Sequence, residues 1–282
     1  MTMHPSTLCA ARSFLFVPAN RPERFAKALA SGADAVILDL EDSVPLDGKA
    51  EARDTLRQAW PQLQQAACAV VIRINSPDTE WGQQDLSGLQ GLSGLAGIMV
   101  PKCEGAHNLQ RVAQAFAGVP SLPIIESALG YLALREIAQA PQVGRLVVGH
   151  IDFLADTGMN VGEDQRELDS LRFEVAMCTR LGKLAPAVDG VTVSVDDEAL
   201  IRADTERALR FGFGAKLCIH PKQIAVVQGV FTPEPERVAW AQRVCAAFAA
   251  SGGAAVAVDG QMIDVPVVER ARAVLRAAGL AS

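Results

Sequence analysis

Charged side chains follow six short apolar runs of the sequence, and their types suit chemistry on carboxylates and carbonyls. In chain order they are Asp39, Glu41, Asp42, Arg73, Lys102, Glu126, Asp152 and His220. If the runs are strands of one parallel sheet, their carboxyl ends meet at one edge and these side chains converge there. Charges beside a core are costly unless they are paired or bound to a metal, so the pattern indicates a functional site.

Glu126 and Asp152 follow consecutive runs, which places them about 5 Å apart if the strands are neighbours. Two hard carboxylates with room for water and substrate oxygens suit octahedral Mg²⁺. Zinc is disfavoured because no His/Cys cluster accompanies them. The alternative is that each acid pairs with a cation such as Lys102 or Arg73. Because the two acids lie on neighbouring strand ends, we expect that they bind a metal ion and do not serve only as ion-pair partners.

Arg73 carries a planar guanidinium that binds a carboxylate through two N–H groups or stabilises a developing enolate oxygen. An ion pair with Glu41 or Asp42 on the preceding run is the competing interpretation, and both can hold. We expect Glu41 and Asp42 to be site residues and Asp39 to be structural. His220 is either an acid or base at this edge or a residue that only bonds a neighbouring loop.

The elements that would position these residues alternate between apolar runs and helical patterns eight times. The runs are continuously apolar, which is typical of strands covered on both faces. They lie at 12–18, 33–40, 68–75, 96–102, 122–127, 145–152, 189–195 and 215–221. The alternation predicts an α/β fold, a (β/α)₈ TIM barrel over residues 1–250. A doubly wound sheet is the competitor, but the first turn lacks its glycine-rich fingerprint.

Residues 251–282 depart from this alternation. They predict a C-terminal extension made of a hairpin, turning at Asp259–Gly260, and an amphipathic helix. We expect the extension to pack over the barrel mouth or over a neighbouring subunit.

Composition limits the classes of partner and the compartment. The chain has 282 residues, half of them hydrophobic, with a formal net charge of −6 and no basic block for nucleic acid. Its six cysteines have no C-x-x-C spacing and are expected to be free thiols. With no secretory signal and no apolar stretch long enough for a membrane, the sequence predicts a soluble cytoplasmic protein. It contains no G-x-S-x-G, Walker or H-E-x-x-H motif.

Seven segments of the sequence occur in the same order as the motifs of a known enzyme family. They are SFLFVPANRPERF, ADAVILDLEDSV, VIRINSPDTEWGQQDL, MVPK, PIIESALG, VVGHIDF and GFGAKLCIHPKQI. Together they resemble the citrate lyase β-subunit-like branch of the HpcH/HpaI aldolase superfamily. The resemblance runs from about residue 12 to the C-terminus.

The resemblance implies a Mg²⁺-dependent barrel, usually trimeric, that makes or breaks 3-hydroxyacyl-CoA thioesters such as citryl-, malyl- or citramalyl-CoA. By motif, Glu126 and Asp152 correspond to the metal ligands, Arg73 to the substrate-binding arginine, and Glu41 and Asp42 to the acids beside it. Coenzyme A is expected across the barrel mouth near the loop from Phe16 to Arg21, with Lys102 and Glu126 also facing substrate.

One position departs from the family pattern. Relatives often carry an Asp in the region of the seventh strand, where this chain has Ser194. Asp196, Asp197 or a water on the metal is then the expected base. Two other functions stay open from the sequence: an aldolase for free 2-oxo acids without CoA, and a silent barrel that binds oxo acids.

Overall fold

A closed barrel of parallel strands forms the main body of the chain. The computed structural model describes residues 5–280, so the first four and last two residues of the expected domains lie outside it. Each strand pairs with the next, and the eighth pairs with the first. The strands are β1 (Ser13–Pro18), β2 (Ala35–Asp39), β3 (Ala69–Arg73), β4 (Gly97–Val100), β5 (Ser121–Ile125), β6 (Val147–Val148), β7 (Val188–Asp189) and β8 (Ala215–Cys218). The predicted (β/α)₈ barrel is therefore confirmed.

Helices connect consecutive strands around the outside of this sheet. They are α1 (Pro5–Ala10), α2 (Phe25–Leu29), α3 (Lys49–Leu63), α4 (Glu80–Gly88), α5 (Ala106–Ala115), α6 (Ala128–Leu132), α7 (Leu134–Ile137), α8 (His150–Thr157), α9 (Asp169–Leu181), α10 (Glu198–Arg210) and α11 (Lys222–Phe231). Side-chain caps fix several of their starts. For example, Asp197 accepts the Leu200 N–H at 2.9 Å and begins α10.

The strand side chains are buried on both faces, as continuous apolar runs predict. Every residue of β2, β3 and β5 is buried. Inward-facing residues from all eight strands pack into one cluster at the barrel centre, including Phe14, Ile37, Val71, Met99 and Leu217. This close-packed centre holds the strand ends in fixed positions.

The sixth and seventh strands are shorter than their sequence patterns indicate. Residues 145–152 contribute only Val147–Val148 to the sheet, because α8 begins at His150 directly after Gly149. The apolar run predicts a seventh strand over 189–195, but β7 is Val188–Asp189, so the strand ends at the residue where the sequence predicts its start. Both differences change where charged side chains lie at the barrel mouth.

A buried arginine closes the opposite end of the barrel. Arg145 is 1% exposed, and its Cζ lies 5.4 Å from the centre of the Phe14 ring. Its guanidinium donates to the carbonyl oxygens of Pro186 at 2.6 Å, Leu8 at 3.1 Å and Ala11 at 2.6 Å. Burial lowers the pKa of Arg145 to about 10. The side chain thus connects α1 and the residue that follows it to the amino ends of the strands.

Residues from 229 onward form a second compact unit, and those up to 228 form the first. In the second unit, α12 (Pro235–Ala250) packs against α13 (Val265–Ala277) around an apolar cluster. The antiparallel hairpin of β9 (Val256–Val258) and β10 (Gln261–Ile263) turns at Asp259–Gly260, both with positive φ. The predicted hairpin and helix are present, together with α12; what they cover stays a prediction.

Two general features of the described residues bear on the sequence expectations. Among them, no helix combines the length and apolarity that crossing a bilayer requires. The six cysteines are free thiols, three of them buried.

Replacing Arg145 tests its structural contribution. Arg145→Met replaces the guanidinium with an apolar side chain and leaves the buried carbonyl groups of Leu8 and Ala11, and that of Pro186, without their donor. This should lower the free energy of unfolding by about 3 kcal/mol. Urea unfolding followed by circular dichroism measures the change.

The matched control is Arg135→Met, because the Arg135 side chain is 77% exposed and its ion pair within residues 5–280 is with Glu174. This control should change stability by less than about 0.5 kcal/mol. Equal effects of the two substitutions would contradict the structural contribution of Arg145.

Candidate active site at the carboxyl ends of the strands

Arg73 and Asp39 form a bidentate ion pair between the ends of neighbouring strands. They are the last residues of β3 and β2 and lie in register. Arg73 Nε and Nη2 donate to Asp39 Oδ1 and Oδ2, both at 2.7 Å. Burial alone would raise the pKa of Asp39, but the hydrogen bonds and charge of Arg73 outweigh it and lower that pKa. Asp39 therefore has the structural role that the sequence predicts, because its carboxylate fixes the plane of the Arg73 guanidinium.

Glu41 and Asp42 approach the remaining edge of the guanidinium. Arg73 Nη1 lies 3.0 Å from Glu41 Oε2 and 3.6 Å from Asp42 Oδ2. Glu41 is buried, whereas the Asp42 side chain is 55% exposed. Burial raises the pKa of Glu41 despite the nearby charge of Arg73. Both predicted acids therefore stand beside Arg73.

Phe16 covers a face of the same guanidinium, with Arg73 Cζ 4.7 Å from the ring centre. A cation over an aromatic face is attracted electrostatically, so the ring adds to the orientation that Asp39 imposes. Phe16 lies within β1 and not in the loop where the sequence places it, whereas Arg21 lies in the loop after β1 and has different contacts. Its side chain is half exposed and pairs with Glu23 at 2.6 Å, and it lines neither cavity described below.

Lys102 links the Arg73 group to Glu126. Its Nζ contacts Glu41 Oε1, and its backbone N–H donates to Glu126 Oε1 at 2.6 Å. The backbone of Lys102 has φ 47°, in the left-handed region that residues other than glycine rarely adopt. Such strain is typical of functional sites and here turns the N–H toward the carboxylate.

Glu126 directly follows β5 and is 4% exposed. Burial, followed by the negative charges of Glu41 and Asp152, raises its pKa to about 8. A buried carboxylate surrounded by other carboxylates is stabilised by any cation that enters. The electrostatics of Glu126 therefore favour a positively charged ligand.

Asp152 faces the site from a helix rather than from a strand end, which corrects the sequence expectation. It lies in the first turn of α8, because β6 ends at Val148 and α8 starts two residues later. Gly149 makes this close approach possible. A Cβ there would lie 2.5 Å from Glu126 Oε2 and 2.7 Å from Glu126 Cβ.

Two cavities meet at Glu126 and Asp152. The larger, of about 370 Å³, is lined by Ser76, Asp78, Lys102, Glu104, Glu126, Ser127, Asp152 and Asp156. The smaller, of about 100 Å³, is lined by Phe16, Arg73, Ile124, Glu126, Val148, Gly149, His150, Ile151, Asp152, Val191 and Leu217. Both carboxylates therefore lie at the boundary between the two spaces.

The donor set fits Mg²⁺. Among the described residues no group of three or more His, Cys, Asp or Glu side chains forms a complete metal cage. Mg²⁺ does not need one, because it keeps several waters and takes one or two carboxylates plus substrate oxygens. Glu126 and Asp152 supply two such carboxylates, and burial together with the charges of Glu41 and Asp152 raises the pKa of Glu126, so a bound cation would stabilise its ionised form.

The remaining sequence candidates have local roles. His220 Nδ1 accepts the N–H of Lys222 at 3.2 Å, as the loop-bonding interpretation of this histidine requires. Asp197 caps α10, and its N–H is bonded by Ser194 Oγ at 3.2 Å. Asp196 pairs with Lys222. None of these residues lines either cavity.

A second charged cluster escaped the sequence analysis. Asp189 at the end of β7 is fully buried and pairs with Arg172 at 3.1 Å and Lys216 at 3.3 Å. The imidazole of His150 lies in the same region, and burial lowers its pKa to about 4. A lysine inside the apolar run of β8 was the available signal, since a buried cation requires a partner.

The sequence of the chain is similar to those of proteins from one enzyme family. The sequence profile of the HpcH/HpaI aldolase/citrate lyase family matches residues 12–221. A citrate lyase subunit beta-like protein of Mycobacterium tuberculosis is 36% identical over 97% of both chains. A (3S)-malyl-CoA thioesterase of Cereibacter sphaeroides is 33% identical over 90% of this chain and 89% of its own length.

The fold agrees with a solved structure. The crystal structure of the M. tuberculosis protein CitE in complex with magnesium, acetoacetate and coenzyme A superposes with a TM-score of 0.81 at 35% identity, covering 96% of this chain and 99% of that one. The family profile matches most of the sequence, and the M. tuberculosis relative matches nearly the full length of both chains. This chain is a member of the HpcH/HpaI aldolase/citrate lyase family.

Proposed function

We propose that the protein is a Mg²⁺-dependent carbon–carbon lyase that reversibly cleaves a 3-hydroxyacyl-CoA thioester into an oxo acid and an acyl-CoA. The observation that carries this proposal is the arrangement around the smaller cavity, which is lined by buried Glu126, half-buried Asp152 and Arg73. The family and the magnesium and coenzyme A bound by the M. tuberculosis structure support it.

Glu126 and Asp152 are the residues that would hold Mg²⁺. When bound, the ion supplies positive charge that polarises the hydroxyl and carboxylate oxygens of the substrate. Lys102 contributes through its backbone, because its N–H holds Glu126 Oε1 at 2.6 Å and so fixes the carboxylate. The strained turn at Lys102 is thus part of the ligand geometry.

Arg73 would bind the carboxylate of the oxo acid and stabilise negative charge on its oxygen. Asp39 occupies two of the five guanidinium N–H groups and Glu41 lies 3.0 Å from Nη1, so the substrate would bind the part of the guanidinium that borders the smaller cavity. Because Asp39 and Phe16 fix the guanidinium beforehand, little reorganisation is needed as charge develops in the transition state.

The bond changes of the cleavage are balanced without a redox partner. The 3-hydroxyl group loses its proton to a carboxylate, for which we assign Glu41 or Asp42 beside Arg73. The hydroxyl carbon becomes the carbonyl of the oxo acid as the carbon–carbon bond breaks. The electron pair moves to the thioester side as an enolate, which takes up a proton and leaves as acyl-CoA.

Binding of coenzyme A is assigned to the strand-1 loop. Phe16 of β1 lines the smaller cavity, and the half-exposed guanidinium of Arg21, in the loop after β1, is accessible to phosphates. The larger cavity is unsuited to phosphates, because five of its eight lining residues are acidic and only Lys102 is cationic.

Hydrolysis of the thioester is the second candidate, because one relative is named a malyl-CoA thioesterase. The two reactions differ in their products. Cleavage of the carbon–carbon bond yields acyl-CoA and an oxo acid, whereas hydrolysis yields free CoA and a hydroxy acid. A CoA-independent aldolase would instead act on free oxo acids, and a silent barrel would bind them without turnover.

We also propose that the protein assembles as a homo-oligomer. Three large apolar side chains of α9 are exposed at helical spacing: Phe173 at 55%, Met177 at 46% and Leu181 at 52%. A contiguous exposed apolar stripe is typical of an interaction surface, and a second copy of the chain is the assigned partner. A cytoplasmic location remains a prediction from the sequence.

The oligomer is tested by sedimentation equilibrium. We expect a mass that is a multiple of the 29.8 kDa chain, and Phe173→Glu together with Met177→Glu should shift it toward the monomer. Leu46→Glu, at a residue 63% exposed outside α9, is the control and should leave the mass unchanged. A monomeric wild-type protein at micromolar concentration would refute this assembly.

The reaction is tested with Mg²⁺ and a panel of 3-hydroxyacyl-CoA thioesters, with products separated by chromatography. The proposal expects Mg²⁺-dependent acyl-CoA and oxo acid in equal amounts. Glu126→Gln and Asp152→Asn should each reduce kcat/KM by about 100-fold or more and weaken Mg²⁺ binding, while circular dichroism stays unchanged.

Glu163→Gln applies the same chemical change to an exposed residue and should leave activity intact. Unfolding of the Glu126 and Asp152 variants, with no effect on metal binding, would show instead that these acids serve the fold. Release of free CoA alone would establish hydrolysis as the reaction.

Gly149→Ala tests the positioning of Glu126. The added Cβ must displace the Glu126 carboxylate, so Mg²⁺ affinity measured by calorimetry should fall by about 10-fold. Gly229→Ala is the control, since a Cβ there meets nothing within 4 Å. Unaltered Mg²⁺ affinity of the Gly149 variant would argue against Glu126 as a ligand.

A further inference from the structure

A buried lysine lies beside the chain segment that carries Glu41 and Asp42. Lys49 is the first residue of α3, is 5% exposed and lines neither of the two cavities. We propose that Lys49 is a positioning residue, which holds Glu41 in the orientation that proton transfer at the active site requires. The inference rests on the proposed lyase function, and of the two carboxylates assigned there as the base it selects Glu41.

The hydrogen bonds of Lys49 go to the backbone on both sides of Glu41. Its Nζ donates to the carbonyl oxygen of Leu40 at 3.0 Å and to that of Glu41 at 2.8 Å. These carbonyl groups belong to the two peptide units that flank the Cα atom of Glu41. The Glu41 N–H donates to Asp39 Oδ1 at 2.9 Å, and the same carboxylate holds Arg73. Lys49 and Asp39 therefore fix the backbone from which the Glu41 carboxylate reaches Arg73.

The two carbonyl groups do not depend on Lys49 for a hydrogen bond. The Leu40 carbonyl oxygen also accepts a side-chain N–H of Asn75 at 3.0 Å, and the Glu41 carbonyl oxygen accepts the N–H of Val44 at 3.0 Å. With a neutral side chain at position 49, each carbonyl group would keep one donor. Because buried backbone groups need only one partner, hydrogen bonding alone does not account for a buried cation here.

Two local effects act against a charged lysine at this position. Burial disfavours the ammonium form and lowers the pKa of Lys49. The first turn of a helix also carries a partial positive charge, which favours anions and disfavours cations there. A residue that both burial and helix position oppose is expected where function requires it.

The charges that favour the ammonium form of Lys49 are mainly those of the active-site acids. Four acids raise its pKa against the effect of burial; in decreasing order they are Glu41, Asp39, Asp85 and Asp42. Arg73 and Lys102 contact the Glu41 side chain, whereas Lys49 contacts the Glu41 backbone. The three cations together determine where the Glu41 carboxylate lies.

Other polar residues hold the neighbouring chain without Lys49. Asp85 of α4 accepts the backbone N–H and a side-chain N–H of Asn75 at Oδ2, both at 2.8 Å. Asn75 in turn donates to the Leu40 carbonyl oxygen. Loss of Lys49 should therefore change the position of Glu41 and leave the barrel folded.

The first experiment is steady-state kinetics of Lys49→Met, which removes the charge and the donors but keeps most of the side-chain length. In the folded variant kcat should fall by about 10-fold or more, because a small displacement of a reacting group is costly. KM and the dissociation constant of Mg²⁺ should stay within about 2-fold, because Lys49 touches neither cavity. Lys49→Arg keeps the cation and should recover most of the loss, whereas a purely structural residue would show no such split between kcat and KM.

A double-mutant cycle tests whether Lys49 acts through Glu41. In a Glu41→Gln background, Lys49→Met should lower kcat by less than about 2-fold, because the group that Lys49 positions is already lost. Arg145→Met is the matched control, since it removes a buried cation that donates to backbone carbonyl groups at the opposite end of the barrel. This control should lower stability and leave kcat of the folded protein unchanged.

Amide hydrogen exchange of the turn after β2 gives a readout that needs no substrate. The N–H groups of Glu41 and Ser43 donate to Asp39, and that of Val44 donates to the Glu41 carbonyl oxygen. In Lys49→Met the peptide that contains residues 41–44 should exchange about 10-fold faster by mass spectrometry, because local opening of the turn becomes easier. Arg145→Met, measured well below its melting temperature, should leave the exchange of this peptide unchanged.

The outcomes separate this inference from the function on which it rests. Wild-type kcat in folded Lys49→Met, or an equal loss of kcat with and without Glu41→Gln, would overturn the inference and leave the lyase function intact. Failure of the wild-type protein to cleave any thioester would overturn the lyase function, and the exchange of residues 41–44 would then decide whether Lys49 holds Glu41. If Lys49→Met does not fold, Lys49→Gln takes its place with the same expected results.

Discussion

The bidentate ion pair between Asp39 and Arg73 is the interaction on which the rest of the site depends. It joins in-register residues at the ends of adjacent parallel strands, so the barrel itself sets its geometry. A buried ion pair adds little net stability, because desolvation offsets much of the attraction. Its value here is orientation: with its plane fixed, the guanidinium presents its remaining edge to Glu41, Asp42 and the smaller cavity.

An excess of negative charge surrounds this fixed cation. Glu41, Asp42, Glu126 and Asp152 gather near the mouth, where Arg73 and Lys102 supply the balancing charge. Glu126 responds with a pKa raised to about 8, caused first by burial and then by the neighbouring acids. A divalent cation bound by Glu126 and Asp152 would relieve this repulsion, which explains why the barrel maintains so costly an arrangement.

Much of this could be predicted from the sequence, for a physical reason. Parallel strands buried on both faces require continuous apolar runs, and the first polar residue after each run must lie at the barrel mouth. Arg73, Glu126 and Glu41 were found in this way. Their partners were harder to assign, because pairing depends on register: the bidentate partner of Arg73 is Asp39, with Glu41 beside it.

The sequence predictions that differ from the structure share one cause: a run of apolar residues does not show at which residue a strand ends. Asp152 was placed on β6, but Gly149 lets α8 begin at once and carries Asp152 into a helix. β7 ends at Asp189, so the ion pairs of Asp189 with Arg172 and Lys216 were missed. Such contacts join residues distant in sequence, and only the closed barrel brings them together.

The direct test of the metal-assisted site is calorimetric titration of the wild-type protein with pyruvate, with and without Mg²⁺, and in the presence of acetyl-CoA. If Glu126 and Asp152 hold a cation that receives the substrate together with Arg73, pyruvate should bind only when Mg²⁺ is present. Acetyl-CoA should then bind to the same complex. Equal binding of pyruvate after complete removal of divalent cations would contradict this account of the site.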